Sequence, residues 1–222
     1  MYAKDLISDI VPALRLDETG EKALSWMDFF RISHLPVIDD NNNLLGLVSD
    51  TEIYDHNLAD TQLKNHRLKL FRPFVFHNQH IYDVIALAAV QKLSIVPVLD
   101  KEETYAGVIT AQDLISYFGK LTASSQAGTV FTLILNKNDY SLGQIAQLIE
   151  GNNAKIISLY ARENPDSNKL ELTIKINRRD FSAVRQTLER YEYEIKESKS
   201  EKDRVKDMLN ERMEEFLHYL DI

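Results

Sequence analysis

Apolar positions recur along this chain at two periods, and the two periods alternate. Glu21 to Arg31 and Ile81 to Lys92 place apolar residues at i, i+1 and i+4, which predicts helices with one buried face. Each is followed by a strand-like run with a Pro-Val step, ISHLPVID (Ile32 to Asp39) and SIVPVLD (Ser94 to Asp100). A polar turn comes next, DDNNN or DKEET, and then a second apolar run, LLGLVS or YAGVIT. A closing helix is predicted to begin at Thr51 or Ala111. With an extended, proline-bearing lead-in before each helix, the order is β-α-β-β-α, written twice.

The two copies are in register. Pro97 follows Pro36 by 61 residues (97 − 36), and Gly107 follows Gly46 by the same step. Pro12 and Pro73 keep it, as do Ala23 and Val84, Leu24 and Ile85, and Met27 and Ala88. A constant offset over this many positions marks a duplicated structural unit. One unit of this length buries a meagre core, so the two are expected to pack sheet to sheet.

A different pattern begins after TASSQAG (Thr122 to Gly128), a small, polar stretch that reads as a linker. GTVFTLILN is strand-like. Ser141 and Gln144 open a helix whose apolar stripe is Ile145, Leu148 and Ile149. IISLYAR and KLELTIKIN read as strands, the second with Leu170, Leu172, Ile174 and Ile176 on one face. A helix over Asp180 to Tyr191 turns Phe181, Val184 and Leu188 inward, and YEIKE is a last short strand. This βαββαβ order predicts a ferredoxin-like unit. The tail predicts a helix with a narrow stripe of Val205, Leu209, Met213, Phe216 and Leu220. It has two readings, packing on the preceding sheet or pairing between subunits. The expected class is α+β, with repeats over 1–60 and 61–121, a linker over 122–128, a third module over 129–198 and a terminal helix over 199–222.

Composition narrows the function. A net charge of −8 over 222 residues, with no long basic block, argues against nucleic acid as partner. The absence of cysteine removes disulfides, thiolate metal sites and cysteine nucleophiles, and fits a cytoplasmic protein. No apolar run is long enough for a membrane span. The seven glycines form neither common nucleotide loop. No metal spacing joins His56, His66, His77, His80 and His218, so no metal and no required cofactor are expected.

The strand with its Pro-Val step, the following GLVSDTE and GVITAQD, and their tandem repetition resemble a pair of CBS domains, a Bateman module, over about Met1 to Leu121. The resemblance implies an adenosine-type ligand, AMP, ADP, ATP or S-adenosylmethionine, held between the repeats as a regulatory signal. A Thr at a strand end lies beside the start of the next helix, where free N–H groups favour phosphate. An Asp three residues on can accept from ribose hydroxyls. The first cleft implied combines Thr110 and Asp113 with Pro12, Ile32, Ser33 and His34, with His34 as a phosphate contact. The second combines Ser49 and Glu52 with Pro73, Leu93, Ser94 and Ile95. It is expected to be weak or empty, because Glu52 is a methylene longer than Asp and Ile95 replaces a polar residue. Two plainer readings stand beside these: Thr110 and Asp113 as a helix cap, and His34 as a solvent-exposed strand residue.

With Asp139 and Gly143 at its first strand–helix turn, the third module resembles an ACT domain over about Gly128 to Ser198. The resemblance implies an effector turn at Asp139, Leu142 and Gly143, or a module that only dimerises; Leu142 stands where the family usually has Pro. The CBS–CBS–ACT order is similar to that of acetoin utilisation B-type proteins. The resulting expectation is a non-catalytic, homodimeric sensor with no enzyme activity of its own. A ligand-free oligomerisation scaffold is the alternative.

Overall fold

The computed structural model describes residues 1–65, 70–163, 165 and 167–197. The expected terminal helix over 199–222, with His218, and also His66, lie outside the described residues. The chain divides into two compact units, Met1–Phe118 and a second that begins at Gly119.

In the first unit each repeat folds as a short strand, a helix, a hairpin and a closing helix. The first has β1 (Leu14–Arg15), α1 (Gly20–Phe30), β2 (His34–Ile38), β3 (Leu44–Ser49) and α2 (Asp50–Asp55). The second has β4 (Val75–Phe76), α3 (Ile81–Gln91), β5 (Ile95–Leu99), β6 (Tyr105–Thr110) and α4 (Ala111–Leu121). Thr19 caps α1 by accepting from the Lys22 amide, and His80 caps α3 by accepting from the Tyr82 amide. Both helices end at a non-glycine residue in the left-handed region, Arg31 (φ 57°) and Lys92 (φ 52°). The strand orders are β1-β2-β3 and β4-β5-β6, so a proline sits in each central strand. The short outer strand pairs only past that proline, at Val37 and Ile38 or at Val98 and Leu99. The missing proline N–H therefore leaves no gap on that side of the ladder.

The repeats exchange their lead-in segments. Ser8 pairs with Val108 of the second repeat, and Phe71 pairs with Leu47 of the first. The Leu47 amide donates to Phe71 O at 2.7 Å, and the Ser8 amide to Val108 O at 2.8 Å. The short 3-10 turns Ala3–Asp5 and Leu63–Asn65 cross in the same way. Ala3 N donates to Gln79 O, and Leu63 N to Glu18 O. A further clasp forms at Asn42 (φ 65°), whose Nδ2 donates to Tyr105 O while Tyr105 N donates to Asn42 O. One apolar core runs through both repeats, with Leu14, Val37 and Ile53 in the same cluster as Val75, Val98 and Ile109.

Gly46 and Gly107 are where exchange demands glycine. Both have positive φ, and a Cβ on Gly46 would stand 2.8 Å from Phe71 O and 2.7 Å from Leu70 Cβ.

The second unit is an antiparallel sheet of order β10-β7-β9-β8, formed by β7 (Thr129–Asn136), β8 (Ile156–Glu163), β9 (Lys169–Ile176) and β10 (Glu194–Glu197). Its helices α5 (Leu142–Glu150) and α6 (Ser182–Arg190) bury Ile145, Ile149, Val184 and Leu188 against Phe131, Leu133, Leu172 and Ile174. The stretch after α4 is anchored. Lys175 is buried, and its ammonium donates to Ala123 O at 2.5 Å and Ser124 O at 3.3 Å. Among the described residues no helix is long and apolar enough to cross a membrane.

Two outcomes are expected. Gly46→Ala lowers stability by about 1–3 kcal/mol in urea unfolding, because the new Cβ meets backbone in a strained conformation. Lys175→Met leaves two carbonyls without their donor, so amide exchange over 122–128 accelerates while the β7–β9 amides stay protected.

Candidate functional site

The repeats meet where β2 and β5 begin. Ser94 Oγ stands at this seam, accepting from the Ser33 amide at 3.0 Å and lying 3.0 Å from His34 Nδ1. Ser33 Oγ lies 3.1 Å from the same nitrogen, and the Ser94 amide reaches it at 3.4 Å. With an amide N–H and hydroxyls turned on Nδ1, the arrangement suits a neutral imidazole that accepts at Nδ1. Both closing helices start from this seam. The Asp50 amide donates to Ser33 O and the Ala111 amide to Ser94 O, at 3.1 and 2.9 Å.

Each helix start carries a capping box. Asp113 Oδ2 accepts from the Thr110 amide at 3.2 Å and from Thr110 Oγ1 at 2.6 Å, and the Asp113 amide donates back to Thr110 Oγ1 at 3.0 Å. Glu52 Oε2 does the same for Ser49, with the hydroxyl at 3.3 Å. The extra methylene of Glu52 therefore does not prevent the box; it loosens the contact with the hydroxyl.

A cavity of about 480 Å³ opens beside the seam, lined by Leu24, Met27, Asp28, Arg31, Ile32, Ser33, Asp50, Tyr54 and Ser94. It unites Ile32 and Ser33 of the first expected cleft with Ser94 of the second. Thr110, Asp113, Ser49 and Glu52 line neither this cavity nor a second, mostly apolar one of about 460 Å³. Pro12 lines that second cavity, with Ile10, Ser25, Trp26, Phe29 and Phe30. Pro73, Leu93 and Ile95, expected on a cleft wall, are buried. For Ile95 the cause is that β5 is covered on both faces along its whole length. His34 is half-buried and its Nδ1 is engaged across the seam, so it is not a solvent-exposed strand residue.

Asp50 and Tyr54, one helical turn apart on α2, escaped the motif reading, as did Asp28 and Arg31 at the end of α1. The offset could have found them. At the corresponding positions of the second repeat stand Ala111, Ile115, Ala89 and Lys92, so polarity differs between the repeats at three of the four. At the third module's turn, Asp139 accepts from Asn136 Nδ2 at 2.9 Å, and Leu142 is exposed. A Cβ on Gly143 would meet nothing within 4 Å, so packing does not demand glycine there. Among the described residues no group of three or more His, Cys, Asp or Glu is placed to hold a metal ion.

Burial holds His34 below its ordinary value of 6.5, against the opposing pull of Asp50 and Glu52. The unfolded chain thus takes up this proton at a higher pH than the folded one. Its contribution to stability is complete above pH 6.5 and is lost as pH falls toward the lower folded value. His34→Asn, which keeps an acceptor near Nδ1, should show a smaller loss of unfolding free energy between neutral and mildly acidic pH than the unmodified protein.

The family model of the CBS domain matches residues 3–58 and 72–120. A homoserine O-acetyltransferase of Methanosarcina acetivorans is 25% identical over 119 residues, 52% of this chain and 22% of that protein. This chain thus spans well under two thirds of that relative. A CBS domain-containing protein of Dictyostelium discoideum is 26% identical over 135 residues, 54% of this chain and 93% of that one. Among solved structures, a CBS domain pair/ACT domain protein of Thermotoga maritima is similar at 21% identity and a TM-score of 0.48, covering 54% of this chain and 98% of that one. Residues 3–58 and 72–120, whose exchanged lead-ins and common core make up most of the first unit, are a tandem pair of CBS domains.

Proposed function

We propose that this chain is a non-catalytic regulatory protein whose CBS pair binds an adenosine-type small molecule at the seam between its repeats. The observation that carries this reading is that Ile32 and Ser33 of one repeat share a cavity with Ser94 of the other. Such a ligand would touch both halves at once, and any difference in its affinity for two arrangements of the pair shifts their populations. The acetyltransferase chemistry of the Methanosarcina acetivorans relative is not carried over, since only 22% of that protein is matched.

Thr110 and Asp113 stand outside the cavity lining, at the α4 start that leaves the same seam; Thr110 is the proposed phosphate contact of a nucleotide ligand and Asp113 the proposed sugar contact. The capping box uses Oδ2 of Asp113. It fixes the carboxylate while leaving Oδ1 to accept from ligand hydroxyls. On this reading the second unit is an ACT-like module that passes the signal on, since its βαββαβ order suits that role. Two roles are proposed for this module, an effector turn at Asp139, Leu142 and Gly143 or dimerisation alone.

One observation favours a dimer. Phe29 and Val90 occupy corresponding positions of the two repeats and are 77% and 76% exposed; Tyr54 and Ile115 correspond too, at 65% and 66%. An apolar patch that the internal repeat writes twice suits an isologous contact with a second copy. An oligomerisation scaffold without ligand shares this surface and is separated from the sensor by calorimetry.

Titration calorimetry with AMP, ADP, ATP and S-adenosylmethionine tests the sensor reading. Binding by at least one is expected. Asp113→Asn, which keeps a cap for the Thr110 amide, should weaken that binding by a factor of roughly 5 to 150, the equivalent of about 1–3 kcal/mol. Unchanged affinity removes Asp113 from the site. In light scattering, Phe29→Asp combined with Val90→Asp should convert a dimer to a monomer.

A further inference from the structure

We propose that the seam cavity selects an adenosine-type ligand carrying a positive charge, a sulfonium nucleoside such as S-adenosylmethionine, over a phosphorylated one, with Asp50 as its counter-charge. The inference rests on the adenosine reading above and adds the charge class of the ligand.

The charges around the cavity carry the argument. Of its ionised side chains, Asp28 and Arg31 face each other one helical turn apart, with Oδ1 and Nη1 at 3.6 Å. Asp50 is left without a cationic partner on the cavity wall. Its Oδ1 accepts from the Thr51 amide at 2.6 Å and from Thr51 Oγ1 at 3.2 Å, and no hydrogen bond from the described residues reaches its Oδ2. The net charge of the lining at neutral pH is therefore negative, from two carboxylates and one guanidinium.

The features that would welcome phosphate are weak here. Burial disfavours the charged form of His34. The first turn of α2 already carries Asp50 and Glu52, and its amides are taken by Ser33 O, Asp50 Oδ1 and Ser49 Oγ. Two carboxylates at a helix start occupy the positive end of its dipole and repel a second anion. On the α4 side the first turn carries Asp113.

The rest of the lining suits an uncharged nucleoside. Leu24, Met27 and Ile32 offer apolar surface for a base, and Ser33, Ser94 and Tyr54 offer hydroxyls. The acidic character is particular to the first repeat, since Asp28 and Asp50 correspond to Ala89 and Ala111 in the second. A shared backbone thus carries these two carboxylates in one repeat only.

The test is calorimetry on the full chain and on Asp50→Asn with four probes: S-adenosylmethionine, S-adenosylhomocysteine, AMP and ATP. S-adenosylhomocysteine keeps the skeleton and lacks only the sulfonium methyl and its charge. The proposal expects the sulfonium to bind about tenfold tighter than the thioether, as one partly screened charge pair would give, and tighter than either nucleotide. It expects Asp50→Asn to close most of that gap, and added salt to narrow it in the unmodified protein. Equal affinity for sulfonium and thioether, a gap that survives Asp50→Asn, or preference for AMP or ATP overturns the charge assignment and leaves the adenosine reading intact. If none of the four binds, the adenosine reading falls and this inference with it.

Discussion

Each CBS repeat forms its own three-stranded sheet, and each sheet's outer hairpin strand is met by a segment of the other repeat. The hairpin of each accepts the lead-in of the other, Phe71 on Leu47 and Ser8 on Val108. Gly46 and Gly107 clear the space for that crossing with backbone that other residues adopt only under strain. The crossing ties the two repeats together, and one apolar core passes through both. Because the lead-ins are crossed, the starts of β2 and β5 are brought face to face, and Ser94 Oγ can bridge Ser33 and His34. The candidate site is a by-product of this constraint.

A polar seam inside an otherwise apolar pair is costly unless every group in it is satisfied. Here the groups satisfy one another: the Ser33 amide, the Ser94 hydroxyl and His34 Nδ1 close a small network, while the carbonyls of Ser33 and Ser94 receive the first amides of α2 and α4. On the proposed reading, a ligand entering beside this network would disturb both helix starts together. That is the physical content of a sensor in which one small molecule acts on two halves.

The constant offset makes the duplication and both hairpins legible in the sequence alone. Leu170, Leu172, Ile174 and Ile176 were legible because β9 alternates, with one face turned to the helices. What the offset leaves out shares a cause. Ile95 aligns with His34, but β5 has no open face, so alignment of repeats does not imply equal exposure. The engagement of His34 with Ser94 depends on side chains 60 residues apart, and no local pattern encodes it. Asp50 was passed over because the motif directs attention to Ser49 and Glu52, whose box turns them toward the strand end. The stretch after α4 reads as a free linker by composition, yet Lys175, on the face of β9 opposite its apolar stripe, fastens it through two carbonyls.

The central claim is that an adenosine-type ligand sits at the seam. Amide chemical-shift mapping of the full chain, titrated in turn with S-adenosylmethionine and AMP, addresses it residue by residue. The account predicts saturable shifts concentrated at Ile32, Ser33, His34 and Ser94 and at the first turns of α2 and α4. Shifts confined to the Trp26 and Phe29 cavity or to the second unit, or none with either ligand, would contradict it.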